Sequence, residues 1–175
     1  MNPANRNLLM RANRYLGAAL VEAGLVNVAS LEAANERLFT LVAAGNARQS
    51  TVLGILAYEM KVLREEDALQ LLVDEHAVGL VDLRDYELAD ELKQTLDPGL
   101  CWATWTLPFD REEGFNYVAT ASYMSESTRA FWEKHLDGPI IWYGTTLEMI
   151  ADALEKLEAA QAAAAKPAAP AKPAS

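Results

Sequence analysis

Apolar residues in the first half of the chain recur at helical spacing, and they do so twice in register. The first copy reads Tyr15-Leu-Gly-Ala-Ala-Leu-Val-Glu-Ala-Gly-Leu-Val followed by Leu31-Glu-Ala-Ala, the second Val52-Leu-Gly-Ile-Leu-Ala-Tyr-Glu-Met-Lys-Val-Leu followed by Ala68-Leu-Gln-Leu-Leu. Overlaying Leu16-Gly17 on Leu53-Gly54 places Leu25-Val26 on Val62-Leu63 and Ala34 on Leu71. Self-similarity of this kind names the supersecondary unit directly: a short helix, a tight turn and a second helix. In copy one, Leu16, Leu20 and Ala23 share a helix face, and Gly24 is placed to end that helix as a left-handed cap. Asn27 can cap the next helix, which runs through Leu31 and Leu38 to about Val42, and Gly45-Asn46 marks a loop. Ser50 can cap the third helix. The fourth begins near Glu65, with Glu65, Glu66 and Asp67 at the positive end of its dipole and a stripe of Leu69, Leu72, Val73 and His76.

The period then changes. Ala103, Trp105, Leu107 and Phe109 alternate as a half-buried strand does, Arg111 to Gly114 reads as a hairpin turn, and Phe115 to Ala121 as a second strand. Ser125 to Leu136 predicts a helix stopped by Asp137-Gly138, and Pro139 to Tyr143 a third strand, parallel to the second through a right-handed crossover. Thr145-x-x-Glu148 has the form of a capping box, and Leu147, Ile150, Ala151, Leu154 and Leu157 stripe the helix after it. The expected fold is therefore α+β: a helical repeat pair of four short helices, then a small three-stranded α/β subdomain with two helices. The expected organisation is a flexible lead-in over 1–12, the repeats over 13–83, the α/β subdomain over 84–158, and a disordered Ala/Lys/Pro tail over 159–175 interrupted only by Gln161 and Ser175.

Composition narrows the function classes. At 175 residues and 51% apolar, the chain has enough material for a real core. Its net charge of -10 makes nucleic acid and anionic membranes poor partners. From Lys61 to Asp97 there are eleven acidic and four basic residues, 4 − 11 = −7, whereas the first fourteen residues hold three arginines and no acid. Cys101 is the single cysteine, so no intrachain disulfide forms and a reducing, cytoplasmic compartment is natural. No apolar run approaches the roughly 20 residues that span a bilayer, so direct membrane insertion is not expected.

Motifs for chemistry are missing. The sequence has no G-x-x-x-x-G-K-[ST], no G-x-G-x-x-G and no zinc-spaced Cys/His set. His76 and His135 lie on apolar sides of helix patterns and read as core or boundary residues. The Trp102-Ala-Thr-Trp105 aromatics read as core. No catalytic residue, no metal site and no resident cofactor is expected, and the chain is not expected to be an enzyme.

The phrase Leu16-Gly17-x-x-Leu20-Val21-x-x-Gly24-Leu25-Val26-x-x-x-x-Leu31-x-x-Ala34 resembles the MshEN motif of the N-terminal domain of type II secretion and type IV pilus assembly ATPases. Val78-Gly-Leu-Val-Asp-Leu83, Asp97-Pro98, Leu107-Pro108 and the strand-helix-strand-helix finish at Leu157 continue the likeness over about residues 13–158. No ATPase motor segment follows, so the resemblance implies a stand-alone relative of the accessory domain. It also implies a non-catalytic cytoplasmic interaction module. Its partner would be a secretion or pilus ATPase or an envelope glycosyltransferase complex.

Some members of that family bind cyclic di-GMP, and the alternative implied is a receptor with a divergent site. The candidate nucleotide-binding residues carried over by position are Arg14, Leu16, Gly17, Leu20, Gly24, Leu25, Leu53 and Gly54. The polar part of the motif departs from the pattern. Tyr15 and Val52 stand at the two arginine positions, Asn35 at an apolar one, Leu38 and Glu75 at the two glutamines, and Lys61 at the glycine that Gly24 supplies in copy one. A carboxylate at residue 75 opposes a doubly negative ligand.

Overall fold

The structure, a computed structural model, describes residues 1–46 and 50–166. Helix α1 runs Pro3–Glu22 and is far longer than the repeat phrase alone. Asn2 caps it by accepting from the Asn5 N–H at 2.8 Å, and Pro3 sits in its first turn, where a missing N–H costs nothing. Leu9 and Ala12 are buried against the rest of the molecule. The 1–12 segment expected to be a flexible lead-in is thus helical from Pro3 onward. The Asn-Pro start signal and the inward apolar positions outweigh its run of arginines, which face solvent.

Gly24, at φ +76°, ends α1 as expected. Its N–H reaches Val21 O, and Leu25 N–H reaches back to Leu20 O at 3.0 Å, the paired bonds of a Schellman cap. Asn27 then caps α2 (Val28–Ala43) through Ser30 N–H at 2.8 Å. Copy two opens with α3 (Val52–Gly54), which widens at once into a π-turn over Ile55–Glu59. Lys61, overlaid on Gly24, is also left-handed at φ +54°. Here Val62 N–H reaches Leu56 O, one residue further back than in copy one. The π-turn absorbs one residue and lets both copies end in the same left-handed turn. Ser50 lies just before this helix, and its hydroxyl donates to Asn46 O at 2.6 Å rather than capping. Helix α4 spans Glu65–His76.

The chain next adds a strand the sequence reading missed, β1 (Gly79–Leu80), then a 3-10 turn at Leu83–Asp85 and helix α5 (Asp90–Thr95). Helix α6 (Pro98–Thr104) occupies the start of the stretch expected to be a strand. Asp97 accepts from Gly99 N–H, Pro98 starts the helix, and left-handed Trp105 ends it. An Asx-Pro start overrides the alternation of Ala103 and Trp105. Strand β2 (Thr106–Glu112) pairs antiparallel with β3 (Phe115–Thr120), with the register shifting between Pro108 and Asp110. Helix α7 (Glu126–His135), capped by Ser125, crosses to β4 (Ile140–Gly144), which lies parallel to β3. The sheet order among the described residues is β1-β4-β3-β2.

The α+β class holds; among the described residues there are four strands instead of three, and four α-helices instead of two follow α4. Helix α8 (Leu147–Ala165) begins one residue later than the capping box implied: Thr146, not Thr145, accepts from Met149 N–H. It also runs through the first part of the expected tail. Gln161 donates to the carbonyl oxygens of Lys93 (2.9 Å) and Leu96 (2.8 Å), holding the end of α5. The tail expected over 167–175 lies outside the described residues. One apolar cluster runs from Leu9 through Leu53, Trp102 and Trp132 to Leu157, so both halves share a core.

Candidate functional site

The leucines of the repeat phrase converge, but inward. Leu16 and Leu20 of α1 and Leu53 of α3 meet Ala68 and Leu72 of α4 and, from the other half, Ala121, Tyr123, Met124 and Thr145. The space left between them is about 20 Å³, room for a single water and nothing larger. Gly17 serves this packing: a Cβ there would stand 2.5 Å from Leu31 Cδ1, so its absence lets α2 close onto α1. At Gly54 a Cβ would be tight only against Thr51 Cγ2 of the same turn (3.0 Å) and in ordinary contact with Leu147 at the start of α8 (3.5 Å). Gly24 and Leu25 form the Schellman turn, and Arg14 is exposed on α1 outside this cavity. The structure therefore brings Leu16, Leu20 and Leu53 together, puts Gly17 and Gly54 at helix contacts, and leaves Arg14, Gly24 and Leu25 apart from them.

Glu65 stands on the cavity wall, 4% exposed. Its carboxylate accepts from the Leu147 backbone N–H at 2.6 Å and from the Tyr58 hydroxyl. That hydrogen bond, with partial burial behind it, pushes the Tyr58 phenol up to about 12. Leu147 is the first residue of α8, whose N–H has no partner within the helix. Glu65 supplies one from 82 positions away. Nothing in its spacing announced this, since three acids opening a helix read as a solvated face. Asn13 makes a comparable tie: buried, it donates to Leu9 O at 2.9 Å and accepts from Val52 N–H at 2.8 Å, joining copy one to copy two.

An open cleft of about 600 Å³ lies beside the repeats, lined by Tyr15, Ala18, Ala19, Glu22 and Ala23 of α1, Glu75 and His76 of α4, and Tyr123, Met124, Glu126 and Arg129. Its volume suits a small ligand, but its charge does not suit an anion. Three carboxylates, Glu22, Glu75 and Glu126, face it. Arg129 is already engaged, donating from Nε to Tyr123 O at 2.8 Å with its guanidinium 4.9 Å from the Tyr123 ring centroid. His76 lies edge-on to the same ring at 5.7 Å. Tyr15 and Glu75, two of the positions where the polar part of the motif departs from its pattern, both open onto this cleft.

Cys101 is fully buried, and burial pushes its thiol well above the usual range. Among the described residues no three His, Cys, Asp or Glu side chains are placed to share a metal ion, and no helix is long and apolar enough to cross a membrane. His76 and His135, expected in or at the core, are exposed side chains packed edge-on or flat against aromatic rings.

No protein-family model matches the sequence, and no curated protein matches it. Solved structures do. The N-terminal domain of XpsE superposes with a TM-score of 0.51 at 16% identity, over 79% of this chain and 90% of that one. MshE with cdg superposes with a TM-score of 0.48 at 19% identity, over 81% and 97%. The α+β fold expected from the repeat phrase and the strands after it is found, and it is shared with the N-terminal domain of XpsE.

Proposed function

We propose that this chain is a non-catalytic, cytoplasmic docking module that attaches to a secretion, pilus or other envelope machine. The single observation that carries the reading is the fate of the motif. Its leucines and glycines, Leu16, Gly17, Leu20, Leu53 and Gly54, are kept and spent on internal packing. Its polar positions, by contrast, open as Tyr15 and Glu75 on a cleft that three carboxylates dominate. A scaffold preserved without its ligand contacts supports a platform for another protein. The fold it shares with the N-terminal domain of XpsE is consistent with that role. A cyclic dinucleotide would bring two negative charges toward Glu22, Glu75 and Glu126, with Arg129 already committed to Tyr123.

Two measurements decide. Isothermal titration of the purified chain with cyclic di-GMP is expected to give no heat. A saturable isotherm weakened by Arg14→Ala and strengthened by Glu75→Gln would establish the receptor reading instead. Affinity capture from the native host is expected to recover a secretion or pilus ATPase, a pilus-assembly protein or an envelope glycosyltransferase complex. Recovery of none of these overturns the docking reading.

A further inference from the structure

One face of the sheet is aromatic and open at one end. Tyr117 on β3 is directly paired with Ile141 on β4, and Ala119 with Tyr143, so these side chains emerge on the same side. Phe115, two residues before Tyr117, joins them. Phe109 of β2 lies 5.7 Å from Tyr143 and 6.4 Å from Tyr117 between ring centroids, and Tyr86 stacks edge-on against Phe109 at 4.9 Å. Tyr117 and Tyr143 are nearly parallel, 26° apart at 6.4 Å. Phe109 is buried, but Tyr86 is 50%, Phe115 43% and Ile141 36% exposed. Large aromatic side chains with two rotatable bonds and a wet hydroxyl are what protein interfaces enrich.

The rim of this face is acidic. The β2–β3 hairpin carries Asp110, Glu112 and Glu113 against Arg111, and the Asp110 carboxylate accepts from the Arg111 backbone N–H at 2.8 Å. These three carboxylates act on the Tyr117 phenol: its ionisation is pushed up first by loss of solvent, then by Glu112, Tyr143, Asp110 and Glu113. Beside Tyr86, Arg84 is paired with Asp82 and Lys93 with Glu87 at 3.5 Å, and Lys156 of α8 lines the same cleft. Apposing two copies of this face would set like charges against each other, which disfavours self-association.

We propose that the face formed by Tyr86, Phe115, Tyr117, Ile141 and Tyr143 is the docking surface of the chain. Its occupant is an amphipathic segment of a partner protein whose apolar stripe is bordered by lysine or arginine. This rests on the docking reading above and adds where the partner sits and what it presents. The rings supply the buried contact, and the hairpin carboxylates supply orientation and association rate.

The test uses the full chain, isotopically labelled, and two synthetic helical peptides with one leucine stripe and either lysine or glutamate on its borders. Amide shifts are expected at Tyr86, Phe115, Tyr117, Ile141 and Tyr143 with the lysine peptide. It should bind at least about tenfold more tightly than the glutamate peptide, and the gap should close as salt rises. Phe115→Ser and Ile141→Ser should each weaken it about tenfold, with unchanged far-UV circular dichroism. Asp110→Asn, Glu112→Gln and Glu113→Gln together should bring the two peptides level.

Shifts confined to the Tyr15–Glu75 cleft or to α2 around Phe39 overturn the proposal. So do equal affinities for the two peptides with the wild-type chain, no binding of either, or a linear oligosaccharide that shifts these residues while the lysine peptide does not. A host partner captured equally by wild type and by Ile141→Ser overturns this placement and leaves the docking reading standing. Capture of none of the expected partners by wild type overturns the docking reading itself.

Discussion

Removing the Glu65 carboxylate should be among the most damaging single changes in the molecule. The side chain is 4% exposed and holds the Leu147 N–H at 2.6 Å together with the Tyr58 hydroxyl. In Glu65→Ala the first N–H of α8 loses its acceptor inside the protein. A hydrogen bond to a charged group and the stranded donor together amount to about 2–3 kcal/mol. The void left by the side chain adds about 1 kcal/mol. Tyr58 contributes under about 1 kcal/mol, because an exposed hydroxyl can turn to water.

The sum is about 3–5 kcal/mol, read as a lower urea midpoint at unchanged slope by circular dichroism and tryptophan fluorescence. Glu65→Gln keeps a carbonyl for Leu147 and an amide for Tyr58 and should cost about 1 kcal/mol, while Tyr58→Phe should cost no more than that. The ordering is the sharper part of the expectation. A Glu65→Ala protein within about 1 kcal/mol of wild type would mean that water replaces the carboxylate at Leu147, and the proposed tie between the halves would be wrong.

Gly24→Ala should cost about 1 kcal/mol through left-handed strain alone, since a Cβ there meets nothing within 4 Å, and Lys61→Gly should have the opposite sign with a smaller magnitude, both measured by denaturant midpoint. Deleting residues 162–175 should leave the melting temperature nearly unchanged. Ending the chain at Ala160 instead removes both Gln161 bonds to the end of α5 and should cost about 1–2 kcal/mol. Tyr58, raised from 10.0 to about 12, favours its neutral form in the folded state. Its contribution is therefore fully present below pH 10 and is lost between pH 10 and about 12, a window absent in Tyr58→Phe and visible by alkaline denaturation. A 1–83 fragment should lack a cooperative unfolding transition, because Leu16, Leu20 and Leu53 would lose Ala121, Tyr123 and Met124, and Glu65 would lose Leu147.

Sequence reading succeeded where local chemistry decides the structure. Gly24 and Asn27 mark the turn of copy one because left-handed backbone and side-chain capping are determined within four residues, and the Asp137-Gly138 stop ends α7 for the same reason. It failed where a distant group or a weak alternation competes. Trp105 reads as a strand position, but the Asp97-Pro98 start commits the preceding residues to α6 and leaves Trp105 as a left-handed cap. Gly79–Leu80 is too short to show a period and becomes a strand only because β4 offers Tyr143 and Gly144 beside it. The structure brings Leu16, Leu20 and Leu53 together inside the core, and whether such leucines face a ligand or a core depends on the second half of the chain closing over them. No spacing within the repeats reveals that closure, and Glu65 was invisible for the same reason.

Helix α8 ties these observations to the docking surface. Glu65 of the second repeat holds its first N–H, Ile150, Leu154 and Leu157 bury its middle in the shared core, and Gln161 near its end holds the last carbonyls of α5. Along one side it faces the 83–88 segment across a cleft of about 290 Å³, and from that segment Tyr86 reaches Phe109 under the aromatic face. Tyr86 is held locally, its N–H donating to Leu83 O at 3.2 Å and its ring resting on Phe109, and a residue so held loses less freedom when a partner binds. The repeats therefore do structural work for the sheet face at a distance. Their leucines close the core, their buried acid holds the start of α8, and α8 lines the cleft beside the segment that carries Tyr86.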